Sequence, residues 1–67
     1  MEYQNHFTER EIENLILIGK GCSNKKIADE LGISIRTVHT HVINLKNKTG
    51  LHTRTALAVF AVNNGFK

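Results

Sequence analysis

The segment ISIRTVHTHVINLKNK, residues 33–48, decides how the chain is read. At about 100° per residue, Val38, Val42, Leu45 and position 49 lie within about 60° of one another and form one narrow apolar seam. Arg36, Thr40, Ile43 and Asn47 fall on the opposite side, flanked by His39 and Asn44. Such a helix packs by one edge and leaves the remainder to solvent or to a groove. Arg and Asn make bidentate contacts to guanine and adenine edges, and Thr and Ile methyls can meet thymine. An Ile on a merely solvated face is a liability, so Ile43 favours the groove.

Upstream, Gly32-Ile33-Ser34 reads as a tight turn. Gly32 takes positive φ at the end of a short helix, Ile33 folds onto the core, and Ser34 caps the next helix. That short helix starts at Ser23 and ends at Leu31, with Ile27, Ala28 and Leu31 inward. Two helices joined by three such residues make a helix-turn-helix. Asn24, Lys25 and Lys26 crowd the first turn of the short helix. Cations there oppose the helix dipole, and a phosphate held by the exposed amides would reward them.

The outer helices complete an all-α, four-helix reading, with helices at about 8–20, 23–31, 34–48 and 53–63. Thr8-Glu9-Arg10-Glu11 is a capping box, followed by a buried stripe of Ile12, Leu15 and Ile16 and a left-handed cap at Gly21. Residues 1–7 read as a flexible lead-in, with Phe7 as a hydrophobic staple on the first helix, and 8–67 as the domain. The last helix carries Leu57, Phe60 and Ala61 on one face and Ala58, Val59 and Val62 on a second. No further element is available to cover the second face, which implies a homodimer through Ala58, Val59 and Val62, or docking of that face against a missing domain.

Composition fits this reading. The chain has 67 residues and net charge +3. Four Glu against Arg10 give residues 1–13 a net −3, and eight Lys or Arg against Asp29 and Glu30 give residues 14–67 a net +6. A basic body suits a polyanion, because neutralised phosphates release counterions. One Cys excludes an internal disulfide. No segment reads as a signal peptide, and no apolar run approaches the roughly 20 residues that span a bilayer; a cytoplasmic protein with no membrane partner is expected.

Metal and enzyme readings are weak. His39 and His41 are two apart on a helix and point about 200° from each other, a poor chelating geometry. His41 reads as a packed, hydrogen-bonded residue beside the seam, and Cys22 as a small apolar filler. No nucleophile–base constellation, paired carboxylate or glycine-rich phosphate loop is present. No metal, cofactor or enzymatic activity is expected.

The segments FTEREIENLILIGKG (7–21), CSNKKIADELGIS (22–34) and RTVHTHVINLKNKTG (36–50), with Arg54–Ala58, resemble the LuxR-type helix-turn-helix domain, found also in FixJ, NarL and GerE-like regulators. The resemblance implies a four-helix, sequence-specific DNA-binding domain of a transcriptional regulator, usually dimerised through its last helix. Its phosphate-contacting positions match Ser23, Asn24, Lys25, Thr37, Lys48 and Arg54, and its base-reading positions match His39, Thr40 and Ile43. With Arg36 and Asn47 from the helix face, these are the candidate site residues. Double-stranded DNA is the expected partner and RNA polymerase a further candidate. The alternatives are a module like region four of sigma factors, one copy on polymerase, or a basic protein-interaction module. Three positions depart from the family pattern: Ile43 replaces a polar or basic reader, Thr49 a Leu and Gly19 an Ala. Looser packing is expected at the last two.

Overall fold

A hydroxyl side chain stands immediately before each helix. The computed structural model describes residues 6–67, and its helices are α1 (Glu9–Gly19), α2 (Asn24–Leu31), α3 (Ile35–Thr49) and α4 (Arg54–Asn63). Thr8, Ser23, Ser34 and Thr53 have extended backbones and accept from the amides of Glu11, Lys26, Thr37 and Ala56 at 3.0–3.1 Å. Each such cap contributes about 1 kcal/mol. At α1 the box is closed in both directions, since the Thr8 amide donates to Glu11 Oε1 at 2.8 Å. The expected all-α, four-helix architecture is the one observed. Its helices differ from the expected ranges only by the cap residues and by one more residue, Thr49, in α3.

The turn between α2 and α3 has the form that a helix-turn-helix needs. Gly32 lies in the left-handed region at φ 66° and ψ 34°, which carries the chain out of α2, and the Ile33 amide returns to the Ala28 carbonyl at 3.1 Å. A residue with a Cβ is disfavoured in that conformation. Ile33 then packs against the core, and Ser34 opens α3.

Ten residues form the core: Leu15, Ile18, Ile27, Ala28, Val38, Val42, Leu45, Leu57, Ala61 and Phe66. The α3 seam of Val38, Val42 and Leu45 is fully inward. On α1 the buried face is rotated from the one expected. Glu11, Asn14, Leu15 and Ile18 are buried, whereas Ile12 and Ile16 flank them half-buried. Two polar residues thus occupy positions that an apolar pattern assigns to the outside. Asn14 is fully buried, and its Nδ2 donates to the Arg10 carbonyl at 2.8 Å.

Gly19 does not loosen the packing, contrary to expectation. α1 and α4 share the broadest contact in the fold, and a Cβ built on Gly19 would stand 3.3 Å from Ala61 Cβ and 3.6 Å from Val62 Cγ2. The missing methyl lets α4 lie close. At Thr49 the looser packing is present: an open cavity of about 420 Å³ is lined by His6, Phe7, Lys48, Thr49 and Phe60, while the Thr49 hydroxyl donates to the Leu45 carbonyl at 2.8 Å and accepts from the Leu51 amide at 3.2 Å.

The C-terminus holds the largest core residue. Gly65, at φ 77°, ends α4 by turning the chain back, with the Phe66 amide on the Ala61 carbonyl at 2.9 Å. This six-to-one bond is the Schellman arrangement, and it drives Phe66 inward until 2% of it is exposed. Phe66 stacks on Phe60 at 6.1 Å between centroids and meets Phe7 edge-on at 5.8 Å. Phe7 also meets Phe60 edge-on at 6.2 Å. The lead-in is therefore anchored at Phe7 by α4 and the C-terminal turn, while residues 1–5 of the expected 1–7 segment lie outside the described residues.

Replacing Phe66 by Ala should lower the unfolding free energy by about 3–5 kcal/mol, read from urea melts followed by circular dichroism. A loss under about 1 kcal/mol would mean that Phe66 is not a core residue.

Candidate nucleic-acid interface

The apolar contact of α3 with the body runs along its seam of Val38, Val42 and Leu45. Arg36, His39, Thr40, Ile43, Asn44 and Asn47 are all exposed on the helix, and Ile43 keeps 43% of its surface accessible. Ile35, which the sequence reading did not single out, joins them at 52%. A helix of 15 residues is about 22 Å long. With a bare face it matches a major groove roughly 12 Å wide. The Thr40 hydroxyl donates to the Arg36 carbonyl at 3.2 Å, which fixes its rotamer and leaves its oxygen able to accept.

The edges of this face are built from helix starts. Neither α2 nor α3 has an acidic residue in its first turn, so the positive ends of both dipoles are uncompensated. At α3 the Ser34 and Thr37 hydroxyls lie 2.8 Å apart, and the Thr37 amide is taken by Ser34. At α2, Ser23 caps Lys26, and Lys26 pairs with Glu30 one turn on at 3.2 Å. Lys25 is exposed and has no ion pair among the described residues.

Arg54 and Asn24, expected as separate phosphate contacts, are bonded to each other. Arg54 Nη1 donates to Asn24 Oδ1 at 2.6 Å, and Nη2 donates to the Cys22 carbonyl. The start of α4 is thus tied to the start of α2 across 30 residues of sequence. The guanidinium has five N–H groups, so this pairing leaves donors over and presets their direction.

Lys48, also expected as a phosphate contact, is bonded within the chain. Its ammonium donates to Glu11 Oε1 at 2.7 Å and to the His6 carbonyl at 3.3 Å, and stands 5.8 Å from the centre of the Phe7 ring. The Glu11 side chain is 6% exposed. Burial alone would raise the Glu11 carboxyl pKa. The bonds from Lys48 and from the Thr8 amide and hydroxyl outweigh it and hold the carboxyl below its ordinary range. The capping box gave Glu11 a local role in the sequence reading. Its second partner, 37 residues away, leaves no periodic signal.

His41 is half-buried beside the seam, and its ring has no hydrogen-bond partner among the described residues; the expected bond is not made. Cys22 is half-buried against the core. An open groove of about 310 Å³ is lined by Gly19, Ala58, Val59, Val62 and Asn63. Val59 and Val62 are 53% and 62% exposed, whereas Ala58 is half-buried at the groove floor. No helix among the described residues is long and apolar enough to cross a membrane.

Comparison with known proteins places these features in a family. Residues 5–61 match the model of the luxR family of bacterial regulatory proteins. The chain is 47% identical over 57 residues to the transcriptional regulatory protein LiaR of Bacillus subtilis, covering 85% of this chain and 27% of the relative. It is 45% identical over 60 residues to the response regulator protein VraR of Staphylococcus aureus, covering 90% of this chain and 29% of the relative. The chain therefore spans under a third of the length of these relatives.

The depressed Glu11 carboxyl makes stability depend on pH in one direction. The unfolded chain takes up the Glu11 proton first, near its ordinary value of roughly 4.3. The contribution of the pair is then complete above that pH and is lost as pH falls through the lower, folded value. Glu11→Gln should accordingly be less stable than wild type at pH 7, with the gap narrowing as pH falls from about 5 towards 3. Parallel stability profiles in thermal melts would show that the pair contributes nothing.

Proposed function

Because the chain belongs to the luxR family of bacterial regulatory proteins, a family of DNA-binding transcription regulators, we propose that it binds double-stranded DNA sequence-specifically, with α3 in the major groove. The observation that carries this reading is the bare face of α3, whose apolar attachment to the body is the opposite seam of Val38, Val42 and Leu45. On it, Arg36, His39, Thr40, Ile43 and Asn47 face the base edges, and Ile43 contributes an apolar contact such as that to a thymine methyl. Ser23, Asn24, Lys25, Thr37 and Arg54 hold the flanking phosphates and fix register without reading sequence. The domain acts in the cytoplasm, where its DNA lies.

Two copies bind together through α4. The groove between α4 and the end of α1 supports this, since Val59 and Val62 form an apolar rim with no cover in the single chain. A two-fold pair of this kind sets its reading helices about one DNA turn apart, roughly 34 Å. The paired arrangement is what separates this reading from a sigma-like module, which works as one copy on RNA polymerase.

Selection of bound sites from random duplexes should return a two-part motif with half-sites about 10 base pairs apart; recovery of no motif sinks the proposal. Lys25→Ala should weaken all duplexes alike and lower the slope of log affinity against log salt by about one. Altered sequence preference at unchanged affinity would mean that Lys25 reads bases instead. Val59→Glu should shift the DNA-bound species from two copies to one in analytical ultracentrifugation. A variant that still sediments as a pair places the interface elsewhere.

A further inference from the structure

We propose that Glu11 and Lys48 are positioning residues for α3, acting on DNA recognition through the ion pair they make with each other rather than through contact with DNA. The inference rests on the DNA reading above and assigns Lys48 a different role from that of the phosphate-holding residues.

The Lys48 side chain is 42% exposed and one ammonium N–H is left over, but the charge is already engaged within the chain. Its ammonium is shared between Glu11 Oε1 at 2.7 Å and the His6 carbonyl at 3.3 Å. The same Glu11 oxygen also accepts the Thr8 amide at 2.8 Å, so one carboxylate atom joins the start of α1 to the last turn of α3. A carboxylate that is 6% exposed is strongly destabilised when its cation leaves, whereas an exposed lysine on a solvated phosphate gains little by comparison. Lys48 therefore stays on Glu11.

Its place along α3 explains what the pair does. The N-terminal end of α3 is fixed by the Gly32–Ser34 turn against α2. α1 touches α3 over a narrower area than α2 does, so the far end of α3 has fewer constraints. The Glu11–Lys48 pair supplies one there. It lies 12 residues from Arg36, about 18 Å along the axis, and a small swing about the turn is largest at that end. Recognition constellations tolerate displacements of only about 0.5 Å, and a charge pair at the end of a lever limits such a swing. Phe7 and His6 line an open cavity at the same junction, with the Phe7 ring beneath the ammonium.

The test uses the full chain as wild type, Glu11→Gln, Lys48→Met and the double variant. Binding is measured against the duplex that wild type selects and against a scrambled one, at a temperature where circular dichroism shows every variant folded. Either single variant should lose about three- to thirtyfold affinity for the selected duplex. Scrambled-duplex affinity and the salt slope should be unchanged, and the double variant should be no worse than the singles. If Lys48→Met weakens both duplexes and lowers the salt slope by about one while Glu11→Gln is silent, Lys48 is a phosphate contact and the inference fails. It fails equally if all variants bind as wild type does. A wild-type chain that selects no duplex overturns the DNA reading and this inference with it. Should a single variant not fold, Lys48→Gln, which keeps a donor to Glu11 without the charge, takes its place with the same expected and overturning results.

Discussion

A helix that offers most of its circumference to a partner can be held only by the edge that remains. In this domain that edge is three side chains wide: Val38, Val42 and Leu45 carry the whole apolar attachment of α3. Burial of three such residues contributes about 5–8 kcal/mol against full exposure, enough to dock the helix but poorly suited to setting its angle. Non-directional contacts permit rocking. Directional ones at the two ends oppose it: the Ser34–Thr37 hydroxyl pair and the Gly32 turn at one end, and the Glu11–Lys48 ion pair at the other. The remaining helices serve the same purpose, α2 as a wall beside the start of α3 and α1, itself backed by α4, as the base beneath it.

The fold was largely legible in the sequence because its determinants are local. Hydroxyl caps, left-handed glycines and a period near 3.6 place Thr8, Ser23, Ser34 and Thr53 at helix starts with no knowledge of the whole. The face of α1 was misread for a physical reason. Glu11 and Asn14 are polar and score as outward, yet each is buried with a bond made inside: Lys48 for the carboxylate and the Arg10 carbonyl for the Asn14 Nδ2, although Asn14 Oδ1 has no partner among the described residues. Periodicity counts apolar side chains and cannot see a polar group that brings its bond inside. Phe66 was passed over because it follows the last helix. Gly65 directly before it was the available signal, since a left-handed glycine followed by a large apolar residue is the pattern by which a helix end folds its next side chain into the core.

The candidate site divides in the same way. Which residues share the free face of α3 follows from angle alone, and the structure places Arg36, His39, Thr40, Ile43 and Asn47 together on it. What the charged residues do there depends on distant partners. Arg54 and Asn24 are 30 residues apart, and Lys48 and Glu11 are 37 apart. A family pattern assigns a role to each position singly. In the folded chain two of those positions bond to each other and a third to a buried acid.

The contact between Gly19 and α4 sets local helix preference against groove shape. An alanine at position 19 would favour α1 by about 1 kcal/mol through propensity alone. Its methyl would stand 3.3 Å from that of Ala61, so α4 would have to withdraw by a few tenths of an ångström. Gly19 and α4 are also the two walls of the groove rimmed by Val59 and Val62. Sequence drift that strengthens the helix therefore widens the groove, and the two properties cannot be improved independently at this position. A glycine near the end of α1 keeps the depth of that surface adjustable by a single methyl group.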